Sequence, residues 1–310
     1  MKSLISVFYI VLLCAPVLLP GCNDDIFVDK IPEFEDNRVT LDGNGGSYVL
    51  SFQPKSALSI KFDNSFDYFT YTENYSADGE RLGTDAPIAD IAKIVYGSPR
   101  FTVEARIDGD KITIVALDNT YSDDLNLWLT IDYGYMARSL DVTVTPGKPM
   151  QIDYIYCDME RASSRFGTAR LTPIRITNNS GGDMAMNIYP FKELHSNVSL
   201  SNEEIWTTGI SGISPIPYFY NDGWVSDDTN KVEITLGQQA YYYSEYTDLE
   251  AVERVEVPPH TTVTVDVTLT MAMFEARYLT TVTQPNSGHS WMIDGVCEVS
   301  QPIGYNVEVR

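Results

Sequence analysis

Histidine is scarce in this chain. Only His195, His260 and His289 occur among its 310 residues. Hydrolysis by a Ser-His-Asp arrangement needs a histidine base, and the Gly-x-Ser-x-Gly turn that carries a serine nucleophile is absent. No histidine or cysteine has a partner at the spacing of a zinc site. We therefore expect no catalytic residue, no metal and no cofactor, and we interpret the histidines as solvated loop residues.

Basic residues are also few. Lysine and arginine number 21 against 43 aspartates and glutamates, which gives a formal net charge of −22. Proteins that bind nucleic acid need clustered positive charge to neutralise phosphates, and this chain has no such cluster. We expect no nucleic-acid partner and no electrostatic attachment to an anionic membrane surface. The acidity itself favours solubility.

A long apolar run occurs at the N-terminus, from Leu4 to Leu19, after the positive charge of Lys2. Pro16 interrupts it, and it is shorter than the roughly 20 residues that a spanning helix needs. A charged start followed by a run of this length is typical of a secretory signal peptide. We predict that residues 1–21 are such a signal.

The residues that follow resemble a known sorting motif. Leu19, Pro20, Gly21 and Cys22 resemble the lipobox of bacterial lipoproteins, and the polar run Asn23–Asp25 resembles the acidic export tag of surface lipoproteins in gut Gram-negative bacteria. The resemblance implies lipidation of Cys22, a lipid anchor in the outer membrane, exposure at the cell surface and an acidic tether over residues 22–37. The alternative is an ordinary secretory signal with a chance cysteine.

Only two cysteines then remain for the folded protein. Cys14 leaves with the leader and Cys22 carries lipid, so Cys157 and Cys297 are left, both in strand-like segments. An exported location permits a disulfide bond between them. The alternative is two buried free thiols.

Alternating apolar and polar residues predict an all-β protein. Residues 101–107 and 111–117 alternate on either side of Asp108-Gly109-Asp110, which indicates a hairpin because glycine tolerates positive φ. Similar alternation recurs up to the C-terminus, and the Pro-Gly-Lys-Pro segment at 146–149 separates two halves. We predict two Ig-like antiparallel β-sandwiches in tandem, over residues 38–147 and 148–310, the second with long loops around 190–230 and 239–255. Residues 86–96 are predicted to form a short helix or a loop.

Three segments of the first half resemble the BACON family of Ig-like domains. They are VTLDGNGGSYVLSF at 39–52, ITIVALDNT at 112–120 and LWLTIDYGYMARSLDVTV at 127–144. The resemblance covers roughly residues 38–147 and implies a surface multidomain protein of a glycan-handling bacterium, in which the domain binds carbohydrate or serves as a spacer. The second half resembles Ig-like and fibronectin-like domains only generically.

Aromatic residues are the main binding candidates. Trp128 falls on the polar face of its strand, opposite a row of leucines. In QQAYYYSEY, a strand would place Tyr241 and Tyr243 on the face opposite Tyr242, and Trp224 lies in a nearby loop. Flat rings beside Asp, Asn and Gln suit the apolar faces of sugars. The alternative is that these rings pack between the domains or under loops.

Acidic residues single out no reaction. Glycoside hydrolysis needs two carboxylates about 5–10 Å apart, and no local motif marks such a pair. Asp227-Asp228 lacks the spaced pattern of a calcium loop. We predict a non-catalytic surface lipoprotein that binds glycan or assists its uptake, with a polysaccharide or an outer-membrane transport or assembly complex as partner. The alternative is a structural, adhesin-type spacer or assembly subunit with no small-molecule ligand.

Overall fold

The computed structural model describes residues 37–51, 55–65, 69–134, 136–192 and 194–310. The predicted signal peptide, Cys22 and nearly all of the tether lie outside these residues. Strands make up 61% of the structure and α-helix is absent from the described residues, so the prediction of an all-β protein is confirmed. In this part of the chain, no helix has the length and apolarity required to cross a membrane.

The N-terminal part of the described chain forms two facing sheets. Its strands are β1 (Arg38–Asp42), β2 (Gly46–Ser51), β3 (Ser59–Asn64), β4 (Tyr71–Tyr75), β5 (Arg81–Leu82), β6 (Lys93–Ser98), β7 (Phe101–Asp108), β8 (Lys111–Asn119), β9 (Leu125–Asp132) and β10 (Ala137–Thr145). One sheet has the order β1-β10-β9-β3 and the other β2-β8-β7-β6-β4-β5. Leu129 and Leu140 of the first sheet and Val103 and Ile114 of the second belong to one buried cluster. These strands form a β-sandwich, called here the N-terminal sandwich.

Local patterns within the sandwich agree with the sequence. The predicted hairpin is confirmed, since β7 and β8 pair up to Asp108 and Lys111 around Gly109, whose φ is +59°. The segment 86–96 combines a 3₁₀ helix, Ile88–Asp90, with the start of β6. Thr102 and Glu104 alternate with the apolar row of β7, yet both are buried.

The C-terminal part is organised around two very long strands. Its strands are β11 (Gln151–Cys157), β12 (Ser163–Arg170), β13 (Ile174–Asn178), β14 (Met184–Ile188), β15 (Ser196–Ser201), β16 (Ser211–Pro215), β17 (Tyr218–Tyr220), β18 (Gly223–Val225), β19 (Lys231–Thr235), β20 (Gln239–Tyr242), β21 (Glu253–Val257), β22 (Thr261–Thr283) and β23 (Ser290–Val309). The main sheet, called here the C-terminal sheet, has the order β19-β16-β11-β22-β23-β15-β20, and β12 and β13 also pair with β22. β14 pairs with β21, and β17 with β18. A second 3₁₀ helix spans Ile205–Thr207.

Two stretches expected as long loops are thus partly strands. The 190–230 region contains β15 to β18, and 239–255 contains β20 and the start of β21. Except for the six-residue β15, these strands have three to five residues. They are too short to produce a sustained period-two pattern, which explains the difference.

The hairpin of β22 and β23 is the central element of the C-terminal part. β22 has 23 residues, which corresponds to about 75 Å of extended chain. Val265, Val267 and Leu269 enter one buried cluster, whereas Phe274 and Tyr278 enter another. The residue numbers change from odd to even, so the two clusters lie on opposite faces of the hairpin. A register shift after Thr270 accompanies this change.

The turn of this hairpin, residues 284–289, joins the two parts of the molecule. The Gln284 side chain accepts a hydrogen bond from the Thr102 hydroxyl at 2.6 Å. Its amide nitrogen donates to the carbonyl oxygens of Ser98 at 3.0 Å and Pro99 at 3.2 Å. Gln284, Thr102 and Ser98 have no exposed surface. We call this contact the joint.

A carboxylate extends the joint. Asp118 is buried and accepts hydrogen bonds from the backbone N–H groups of Asn286 at 2.9 Å and Ser287 at 2.8 Å. His289 Nδ1 lies 3.0 Å from the hydroxyl of Tyr71. The expectation that His289 is a solvated loop residue is therefore wrong, because the turn that carries it packs against the N-terminal sandwich.

Candidate functional site

Trp128 lies on the outer face of the N-terminal sandwich, as its alternation predicted. The β9 side chains alternate between buried leucines and exposed or half-buried polar residues, and Trp128 is 37% exposed. Its register partners on the flanking strands are Asp141 and Asp63. The same sheet face continues into a shallow depression of about 410 Å³, lined in part by Lys61 and Thr130. The ring is therefore available at a polar surface.

Tyr241 of β20 and Tyr243, which follows the strand, are also exposed. Tyr241 is 65% and Tyr243 54% exposed. The imidazole of His195, itself exposed, lies 4.2 Å from the Tyr243 ring and 6.4 Å from the Tyr241 ring. Tyr242 points the other way and packs against a buried cluster, in agreement with the predicted alternation. His195, Tyr241 and Tyr243 form what we call the aromatic rim.

Trp224 does not belong to this rim. It is half-buried, and its ring lies 5.0 Å from Phe274 and 5.7 Å from Phe219. The short hairpin of β17 and β18 turns the indole toward the core instead of toward solvent. The expectation that Trp224 acts with Tyr241 and Tyr243 in binding is therefore not met by the geometry.

A polar groove adjoins the aromatic rim on the outer face of the C-terminal sheet. It has a volume of about 260 Å³. The register places its lining in rows across five strands, in the order β20, β15, β23, β22 and β12. One row of the lining is Gln239, Ser199, Glu298, Glu275 and Ser163. The next is Asn197, Ser300, Met273 and Arg165, and Tyr241 stands beside the groove as the register partner of Asn197. We call this depression the groove.

Hydrogen bonds connect the rim to the groove. The Tyr241 hydroxyl donates to Gln239 Oε1 at 3.2 Å, and Gln239 lines the groove. On the neighbouring strands, the Ser199 hydroxyl donates to Glu298 Oε2 at 3.3 Å. The groove therefore presents donors and acceptors beside a stackable ring, an arrangement suited to hydroxyl-rich ligands.

An exposed apolar strip lies farther along the same sheet, and the sequence reasoning did not identify it. Tyr156 is 67% exposed and faces Leu279, which is 42% exposed. Met292 on β23 is 71% exposed, and Tyr154 is 47% exposed. Tyr154 and Tyr156 stand on either side of buried Ile155, so the alternation in QIDYIYC was a usable signal.

The remaining candidate residues, Asp227 and the two cysteines, contact neighbouring side chains within the fold. Asp227 accepts hydrogen bonds from Thr229 and Tyr218, and the Thr229 bonds lower the pKa of its carboxyl. Cys157 and Cys297 are buried free thiols in the structure. They lie on β11 and β23, with β22 between these strands. Among the described residues, no three His, Cys, Asp or Glu side chains gather closely enough to hold a metal ion.

The structure does not bring the candidate rings together. Trp128 belongs to the N-terminal sandwich, and the aromatic rim belongs to the far edge of the C-terminal sheet. The joint is formed by other residues, among them Thr102, Asp118 and Gln284. The candidate rings are therefore not buried between the two parts of the molecule. They also do not lie together on one concave face.

Comparison with known proteins gives no family. No protein-family model matches the chain, and no curated protein sequence does. Among solved structures, a lamprey immune protein matches at 14% identity with a TM-score of 0.35, covering 86% of this chain and 98% of that one. Parasporin-2, a Bacillus thuringiensis toxin that recognises cancer cells, matches at 14% identity and a TM-score of 0.25, covering 52% and 73%. A Bacteroides thetaiotaomicron protein matches at 9% identity and a TM-score of 0.22, covering 39% and 86%.

Proposed function

We propose that this protein is a non-catalytic surface lipoprotein that binds glycan in the groove of its C-terminal sheet. The single observation that carries the proposal is the groove itself, which lies beside two tyrosines more than half exposed. Covering large aromatic side chains is favourable, so two tyrosines left exposed side by side point to a surface that a ligand covers. Tyrosine presents an apolar ring face and a polar hydroxyl together, and sugars present apolar C–H faces beside hydroxyls.

The lining supports a hydroxyl-rich ligand over an apolar one. Asn197, Gln239 and Ser199 supply amide and hydroxyl groups that both donate and accept hydrogen bonds. Arg165 adds a donor at the opposite side of the groove. Small-molecule sites for apolar ligands are deeper and lined mainly by hydrophobic side chains. The groove is open and mostly polar, as a surface site for part of a polymer chain would be.

A titration series tests this function. Isothermal titration of the soluble protein against plant and host polysaccharides should show binding to at least one of them. Tyr241→Ala should weaken that binding by at least tenfold, because the stacking surface is removed. Tyr189→Ala is the matched control, since Tyr189 is 45% exposed and lies away from the groove. No heat with any polysaccharide, from folded protein, would overturn the proposal.

A second candidate function is assembly with another protein. The exposed side chains of Tyr154, Tyr156, Leu279 and Met292 favour it, because exposed apolar side chains on adjacent strands mark interaction sites. In this case the protein serves an outer-membrane complex or acts as a spacer. Light scattering of the pure protein and crosslinking in cells should reveal a partner, and Tyr156→Ser with Met292→Ser should abolish the association. A protein that remains a monomer and crosslinks to nothing would exclude this candidate.

The location is proposed from the leader. Lipid on Cys22 would hold the protein at the outer membrane, and the N-terminal sandwich, proposed as a BACON-like Ig domain, would hold the groove away from it. Replacing Cys22 with alanine should release the protein from the membrane fraction, and protease added to intact cells should digest the native form. Retention of the Cys22→Ala protein in membranes would contradict this placement.

A further inference from the structure

The groove contains two carboxylates that face each other. Glu275 on β22 and Glu298 on β23 are direct register partners. Residues so placed in an antiparallel pair have Cβ atoms about 4.5–5.5 Å apart, and like charges at such positions repel. Both side chains line the groove and both are exposed. The two carboxylates therefore make this part of the groove surface negatively charged.

Nearby cations do not cancel that charge. Among the described residues, neither glutamate has a basic partner within ion-pair distance. The next basic side chain along β22, Arg277, is held by Asp294 at 2.7 Å. Arg165 lines the groove but stands opposite Met273, one row away from Glu275. The lining therefore carries one positive and two negative charges, in a protein of net charge −22.

We propose that the groove selects glycans by charge: it accepts uncharged sugar chains and rejects those that carry uronate or sulfate groups. This inference rests on the proposed glycan-binding function and specifies its ligand class. Carboxylates accept hydrogen bonds from neutral hydroxyls, and a charged acceptor makes the stronger bond. An anionic sugar at the same position meets like charge and loses hydration without gaining a partner, so specificity comes from a repulsive element.

Matched ligand pairs separate charge from shape. Methyl-esterified and de-esterified homogalacturonan share a backbone, as do laminarin and sulfated laminarin, and each pair differs in anionic groups. For any pair whose neutral member binds, the anionic member should bind about tenfold more weakly in low salt. The difference should shrink in 0.5 M salt (roughly a 4 Å screening length), because exposed charges are screened. Equal or tighter binding of the anionic member would overturn the inference.

Two double variants assign the effect to the groove. Glu275→Gln with Glu298→Gln should reduce the discrimination at least threefold. Glu256→Gln with Glu308→Gln is the control, since it removes the same formal charge at exposed positions outside the groove. If both doubles change the discrimination equally, the net charge of the protein is responsible and the groove is not. If no glycan of any charge binds, the proposed function itself fails, which is a different result from binding without discrimination.

Discussion

The side chain of Gln284 accepts a 2.6 Å hydrogen bond from the hydroxyl of Thr102, and neither residue retains surface exposed to solvent. The two residues are separated by 182 positions and belong to different parts of the molecule. Through this bond and its neighbours, the turn of the long hairpin is fixed in the N-terminal sandwich. The orientation of the C-terminal sheet therefore depends on a small number of buried polar contacts.

We expect Gln284→Ala to lower the free energy of unfolding by about 2–3 kcal/mol, because each buried polar group left without a partner costs roughly 1–3 kcal/mol. The Thr102 hydroxyl and the carbonyl groups of Ser98 and Pro99 would lose their hydrogen bonds to Gln284. Gln151→Ala, at an exposed position, should change stability by less than about 0.5 kcal/mol. Urea unfolding of both variants measures the difference. Equal, small effects would show that the joint contributes little.

Trp128 lies on the outer face of β9, whereas its neighbour Leu129 lies in the core. Trp128→Ala should lower stability by about 1–2 kcal/mol, because part of the ring is covered by neighbouring side chains. Leu129→Ala, fully buried on the other face, should lower it by about 2–5 kcal/mol. Thermal or urea unfolding distinguishes the two. A larger loss from Trp128→Ala would mean that the ring is fully covered in the protein.

Stability should depend on pH in the alkaline range through Tyr242. Burial raises the pKa of Tyr242 to about 12, from an ordinary value near 10. Between these values the unfolded chain releases the phenol proton while the folded protein retains it, so stability is complete below pH 10 and falls as pH rises. The loss should approach about 2–3 kcal/mol, since one pKa unit corresponds to roughly 1.4 kcal/mol. Urea unfolding at pH 9, 10 and 11 measures it.

The Tyr242→Phe variant isolates this contribution. Its stability should fall less steeply than that of the parent over the same pH range, because the phenol is gone. Tyr71 and Tyr278, whose pKa values burial also raises, remain in both proteins and affect them equally. The same slope in the two proteins would assign the alkaline sensitivity to other tyrosines.

The two cysteines should behave as protected thiols. A hydrogen bond with Cys157 and burial raise the pKa of the Cys297 thiol, and the thiol form is a poor nucleophile. In a soluble Cys22→Ala protein without the leader, a thiol reagent should react with neither cysteine until urea is added. Ser164→Cys, at an exposed position, should react at once. A mass lower by two hydrogen atoms before reduction would instead reveal a disulfide bond.

Sequence patterns predicted the elements whose partners are close in the chain. The hairpin of β7 and β8 and the outward position of Trp128 follow from alternation and one turn, and the structure confirms both. Thr102 and Glu104 fit the same alternation but are buried. The turn at 284–289 covers Thr102, and Lys93 and Arg106 pair with Glu104. Burial by residues from other segments of the chain leaves no signal in the local sequence pattern.

Local sequence patterns could not predict the long hairpin or the groove, for two reasons. The core-facing side of β22 changes between Leu269 and Phe274, so a period-two count ends there although the strand continues to Thr283. The groove needs five strands, and its residues become neighbours only through the register that joins them.

The hairpin of β22 and β23 also determines how the molecule would carry mechanical force. Part of a pull on a polymer held in the groove would pass along the two long strands to the 284–289 turn and into the N-terminal sandwich, and the rest through the covalent segment between β10 and β11. Load directed along paired strands shears their hydrogen bonds, so that many must break together, whereas load across them breaks one after another. The hairpin should therefore resist flow better than the joint, and the first mechanical failure should be separation of the two parts at Gln284.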